Sequence, residues 1–107
     1  MKILYNVTIN IDEDIHDEWL DWMTNEHIPE VMNTKCFYDA KLSKIDGEEH
    51  GGRTYSIMYI ASNRNLYDQY VEKHAKILQQ KTQTKYEGKI ASFRTVLEVL
   101  EHFKADE

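Results

Sequence analysis

The chain has 107 residues, 41% hydrophobic and 30% charged, with a formal charge of −6. That length is one domain with a single modest core. The lone Cys36 excludes a disulfide scaffold, no apolar run approaches the roughly 20 residues of a membrane span, and 11% aromatic content on periodic segments excludes disorder.

No basic stretch leads into an apolar leader at the N-terminus, so the cytoplasm is the expected compartment and no membrane partner is expected. The charge is uneven. Residues 1–34 carry −7, from Lys2 against eight acids, and residues 35–107 carry +1. Most of these acids fall in the first turns of a helix, where the dipole favours them. A second reading makes this segment an acidic surface that repels nucleic acid and meets a basic partner.

Ile3, Tyr5, Val7, Ile9 and Ile11 alternate with Leu4, Asn6, Thr8 and Asn10, which predicts a strand with its odd face in the core. Asp12 or Asp14 then offers a capping oxygen. Ile15, Trp19, Trp22 and Met23 form one apolar helical stripe, and the helix is expected to weaken at Ile28, before Pro29. A poorly alternating strand follows from Cys36 to about Ile45. Asp46 to Gly52 reads as a hairpin loop, and Thr54 to Ala61 as a strand. Asn63 or Asn65 caps a second helix, the latter with Asp68 as a capping-box analogue. Its stripe is Leu66, Tyr70, Val71, His74, Ile77 and Leu78. Gly88 stops it, and Lys89 to Leu100 is the last strand.

The order β-α-β-β-α-β predicts a ferredoxin-like α+β domain over residues 1–100: a four-stranded antiparallel sheet with both helices on one face. Residues 101–107 form a frayed tail. The other sheet face is then bare. Its expected residues are mixed: Leu4, Asn6 and Thr8 from the first strand, Ser56 and Met58 from the third, and Ser92, Arg94 and Val96 from the last. A solvated face calls for more charge, and a buried one for fewer polar groups. The mixture suits a second copy packed against it around a partly polar cavity, that is, a homodimer; a half-exposed sheet of low charge is the other reading.

The run Trp22-Met23-Thr24-Asn25-Glu26-His27-Ile28-Pro29 resembles the Trp-x4-His-x-Pro ending of the dimeric α+β barrel group, which includes EthD-like and antibiotic-monooxygenase-like proteins. Leu4-Tyr5-Asn6-Val7-Thr8 and Phe93-Arg94-Thr95-Val96-Leu97-Glu98-Val99 resemble the two ends of a small bacterial family of unknown function within it. The resemblance implies the fold and pairing as a dimeric barrel. It carries over no catalytic set beyond His27 as a candidate.

Three residues are candidates for catalysis. His27 lies beside the apolar stripe, where a neutral imidazole can act as general base, or it caps a helix end by bonding the last carbonyls. Glu26 falls on the Trp19–Trp22 side, either as a partly buried acid or as a rim residue paired with a lysine. Arg94 is the one cation in the body of the last strand. It either clamps a ligand anion or pairs across the dimer, for example with Glu98 of a second copy. Asn6, Thr8, Tyr38 and Ser56 are the neutral lining of the expected cavity, or else ordinary sheet surface. His74 reads as a core histidine.

No His or Cys pair has metal-ligand spacing, and neither a nucleophile elbow nor a phosphate loop occurs, so no metal or cofactor is expected. Arg53 to Tyr59 resembles an RNA-stacking strand but lacks its glycine–aromatic pattern, and the −6 charge opposes phosphates. The function expected is a small organic ligand bound or converted without a cofactor. A non-catalytic binding module, or a structural dimer without a pocket, is the alternative.

Overall fold

The computed structural model describes residues 1–47 and 52–106. Four strands, β1 (Ile3–Ile11), β2 (Asp39–Lys44), β3 (Arg53–Ala61) and β4 (Ile90–Glu98), form one antiparallel sheet in the order β2-β3-β1-β4. This is the ferredoxin-like order, with the first and third strands central. Most of the expected loop between β2 and β3, residues 48–51, lies outside the described residues. Gly52 ends it at φ +154°, where a Cβ would lie 2.5 Å from the Ile11 carbonyl oxygen, so only glycine fits.

Two helical rods cover one face. The first is α1 (His16–Trp22), a π-helical turn at Met23–His27, and α2 (Ile28–Met32). The second is α3 (Arg64–Tyr70), a π-helical turn at Val71–Ala75, and α4 (Lys76–Lys85). Among the described residues no helix is long and apolar enough to cross a membrane.

These π turns correct three expectations. The first helix does not weaken at Ile28. The Ile28 N–H bonds back five residues to Met23, and Pro29 falls in the first turn of α2, where its missing donor is tolerated. An extra residue in the turn also rotates everything after it by about 100° relative to an unbroken α-helix. In the first rod the stripe therefore passes from Trp19 and Met23 to His27 and Val31, and Glu26 is exposed. In the second it passes from Tyr70 to Ala75, Leu78 and Thr82. Val71 and Ile77, expected inside, are exposed, Ile77 at 63%. His74 is half-buried and stacks on Tyr70 at 6.4 Å, at the margin of the core.

The caps differ as well. Asn63, not Asn65, begins α3, its side chain accepting from the Leu66 N–H at 2.9 Å. Asp68 pairs with Arg64 rather than closing a box. Neither Asp12 nor Asp14 caps the first rod through its side chain. Asp14 bonds Lys89 instead. The second strand begins only at Asp39, because Cys36 and Phe37 are core residues of the preceding connection.

The core lies between sheet and helices. Trp19, Ile3, Ile11, Ile57 and Val31 are fully buried. Tyr5, Phe37, Tyr59 and Tyr70 stack around one another with ring centroids 4.8–6.0 Å apart. Such pairs contribute about 0.5–1.5 kcal/mol each beyond burial. His16, which the periodicity did not single out, is also buried. Its Nε2 meets the Tyr55 hydroxyl at 2.6 Å, and its Nδ1 meets Asp17 at 2.9 Å.

The last strand is turned the other way from the sequence expectation. Its register pairs Val7 with Arg94, Ile9 with Ser92 and Tyr5 with Val96. Residues paired across an antiparallel ladder share a face. Ser92, Arg94 and Val96 therefore face the helices. Phe93, Thr95 and Leu97 join Leu4, Asn6, Thr8, Ser56 and Met58 on the bare face. Phe93 and Leu97 are apolar enough to pass for core positions, yet Phe93 is 62% exposed.

Candidate functional site

The helices cover β1 and β3 more completely than β4. At that side of the core a cavity of about 40 Å³ opens between β1, β4 and the two helical rods. His27 reaches it from the first rod, Gln79 and Thr82 from α4, and Tyr5, Tyr59 and Arg94 from the sheet. Each is delivered by a local feature of the fold. The π turn carries His27 inward, the second π turn does the same for Thr82, and the β1–β4 register places Arg94 beside Val7 on the helix side.

His27 is 8% exposed. Its ring stacks on Trp22 at 4.8 Å, and its Nε2 lies 3.3 Å from the Thr82 hydroxyl. Its Nδ1 is buried with no partner among the described residues. Burial pushes the imidazole below its ordinary value. Glu30 opposes that effect, and Lys81 and Arg94 add to it. The ring is thus a neutral base held in place by stacking. It is not a helix cap, because the helix continues through Met32 and the ring bonds no terminal carbonyl.

Arg94 donates from Nε to the Tyr5 hydroxyl oxygen at 2.9 Å, and Gln79 donates to the same oxygen at 3.3 Å. Arg94 and His27 line the same cavity, so the structure brings together two of the three catalytic candidates. Burial, with neighbouring hydroxyls, pushes Tyr59 and Tyr70 up, so both keep their protons. The arrangement can hold a polar group with donors and take a proton from it with an imidazole.

The remaining candidates lie elsewhere. Glu26 points to solvent on the outside of the π turn, away from the cavity. Asn6, Thr8 and Ser56 form a polar chain on the bare face, Ser56 donating to Asn6 and the Asn6 amide donating to Thr8 at 3.0 Å. Tyr38 is exposed before β2, with the Lys2 ammonium 5.5 Å from its ring centroid. None of these four lines the helix-side cavity. The polar cavity residues that the sequence did not single out are Tyr5, Tyr59, Tyr70, Gln79, Thr82 and Gln83. One signal was available: tyrosine recurs at inward strand positions where an aliphatic side chain would fill the same space.

Among the described residues no group of three or more His, Cys, Asp or Glu side chains could hold a metal ion. The acidic first segment is partly neutralised by distant cations: Arg53 meets Glu13 at 2.7 Å, Lys89 meets Asp14 at 2.9 Å and Lys81 meets Glu30 at 2.8 Å.

Solved structures share this fold across the whole chain. HapK from Hahella chejuensis superposes with a TM-score of 0.68 at 11% identity, covering 100% of both chains. SnoaB from Streptomyces nogalater, described as a cofactor-independent oxygenase, gives 0.67 at 6% identity, covering 97% of this chain and 98% of its own. A dimeric ferredoxin-like protein from an uncultured marine organism gives 0.67 at 7%, covering 95% and 98%. At such identities the likeness is one of fold. No curated protein matches the sequence. The sequence itself matches one family over residues 2–100, a span that takes in all four strands and both helical rods, and the chain therefore belongs to the domain-of-unknown-function family DUF4286.

Proposed function

We propose that the helix-side cavity binds a small organic ligand, with His27 as proton acceptor and Arg94 as the cation that orients it, in a protein that works as a homodimer through its bare sheet face. The observation that carries this reading is the convergence of a neutral buried imidazole and a guanidinium–phenol pair on one cavity. Ligand sites are concave and mostly apolar, with a few convergent polar groups, and this cavity has that character. The likeness to SnoaB brings cofactor-independent chemistry on an activated organic substrate within the reactions to assay. Proton removal by His27 is the step these residues can supply.

Thermal unfolding in the presence of phenols, 1,3-dicarbonyls and aromatic carboxylates tests the reading. A ligand present at ten times its Kd adds about 1.4 kcal/mol, or roughly 5–10 °C in Tm for a chain of this size. At least one class is expected to raise the Tm of the native protein, and His27→Gln with Arg94→Met is expected to abolish the rise. A panel that moves nothing, or moves the double variant equally, rejects the site.

A further inference from the structure

The chain contains three arginines. Arg53 and Arg64 each meet a carboxylate, Glu13 at 2.7 Å and Asp68 at 3.3 Å. Arg94 makes no ion pair among the described residues and lies against a phenol instead. Among the described residues no Asp or Glu lines the cavity it borders. Arg94 is thus a cation at the cavity with no ion-pair partner among the described residues, and Glu30, the acid that acts on His27, is paired with Lys81 at 2.8 Å.

Tyr5 shows what that arrangement is prepared for. It is 4% exposed and central on β1. Its oxygen accepts from both Arg94 and Gln79, which occupies the acceptor capacity of a phenol. Its own proton then has to point elsewhere, and no acceptor for it lies within hydrogen-bond distance among the described residues. Tyr59 and Tyr70 add two more hydroxyls to the same lining. A hydroxyl whose oxygen is doubly bonded by donors, one of them cationic, is polarised into a stronger donor.

We infer that Tyr5 is a ligand-binding residue, and that with Arg94 it reads an oxyanion head group, a carboxylate or an enolate, on the ligand of this cavity. This rests on the cavity being a ligand site and adds the class of ligand and the residue that selects it. The cavity, about 40 Å³, exceeds the roughly 10–15 Å³ that a single water needs and so has room for a small polar head group. The rest of the ligand extends past β4, where Arg94 and Val96 are exposed.

Proton and nitrogen-15 NMR of the whole chain with benzoate, and with benzamide as its neutral isostere, tests the inference. Benzoate is expected to shift the His27 ring and Arg94 Nε signals and to bring out a Tyr5 hydroxyl proton in slow exchange, whereas benzamide binds at least tenfold more weakly. Tyr5→Phe, which keeps the ring, is expected to weaken benzoate about tenfold or more, as for a lost hydrogen bond to a charged group. Gln79→Leu, on the half-buried rim, checks the same network without touching the stack and is expected to weaken benzoate by a smaller factor. If benzoate shifts His27 and Arg94 but binds Tyr5→Phe equally well, or benzamide binds as tightly as benzoate, the Tyr5 inference fails and the ligand site stands. If neither compound nor any phenol or dicarbonyl shifts His27, both fail.

Discussion

At the scale of single residues, His27 carries both a structural and a chemical consequence. Its imidazole is kept neutral chiefly by burial. Glu30 offsets this in part, and Lys81 and Arg94 reinforce it. In the unfolded chain the ring titrates near its ordinary 6.5, and in the fold it titrates lower. The unfolded state therefore binds the proton first as pH falls. The stability that depends on the neutral ring is fully present above 6.5 and is lost as pH falls through the folded value. Urea unfolding between about pH 8 and about pH 5 is expected to show a steeper loss for the native protein than for His27→Gln. Parallel profiles would contradict a buried neutral imidazole. Tyr5 belongs to the same scale: a core position by burial, it also holds the arginine that has no carboxylate partner among the described residues.

At the scale of elements, the two π turns decide which residues reach the cavity. Each contains one residue more than an α-helical turn needs, and that extra residue sets the phase of everything downstream. Removing it should restore α-helical spacing and leave the inward face intact. With one residue removed between Met23 and His27, the positions of Trp19, Met23, His27 and Val31 fall at ordinary α-helical intervals of three and four. Deleting the exposed Asn25 is therefore expected to leave unfolding free energy within about 1 kcal/mol of native. Deleting the equally exposed Gln80, in α4 where no wide turn absorbs the change, rotates the buried Thr82 and Tyr86 by about 100°. That deletion is expected to cost more than about 3 kcal/mol. Equal costs in chemical denaturation would show that the π turns do not set the phase.

At the scale of the whole molecule, one sheet face is covered by helices and the other is bare. The bare face has a polar centre at Asn6, Thr8 and Ser56, flanked by Leu4, Met58, Phe93 and Leu97. A surface of this kind is suited to a second copy of itself. Light scattering at micromolar concentration is expected to give twice the chain mass, and Phe93→Glu to reduce it to the chain mass without unfolding. A native protein that scatters as a single chain would remove the dimer from the proposed function. The acidic first segment is a poorer candidate for a partner surface than its charge suggests, since Glu13, Asp14 and Glu30 are already paired with cations. Such exposed pairs contribute at most about 1 kcal/mol each.

What the sequence by itself determined is whatever depends on local period. Alternation in Ile3–Ile11 and Arg53–Ala61 set the inward faces of β1 and β3, and the i, i+4 spacing of Ile15, Trp19 and Met23 set the start of the first helix. The order of elements and the ferredoxin-like topology followed from these. The phase beyond Met23 and Tyr70 was not legible, because a π turn has no sequence period of its own and is selected by packing against the sheet. The side on which β4 presents Arg94 was not legible either. Both of its faces mix polar and apolar residues, and only the ladder to β1 chooses between them. His27 and Arg94 could each be picked out by residue type, but their meeting required two phase decisions made by residues far apart in the chain. Tyr5, the residue between them, was concealed by doing a core residue's work on a core residue's period.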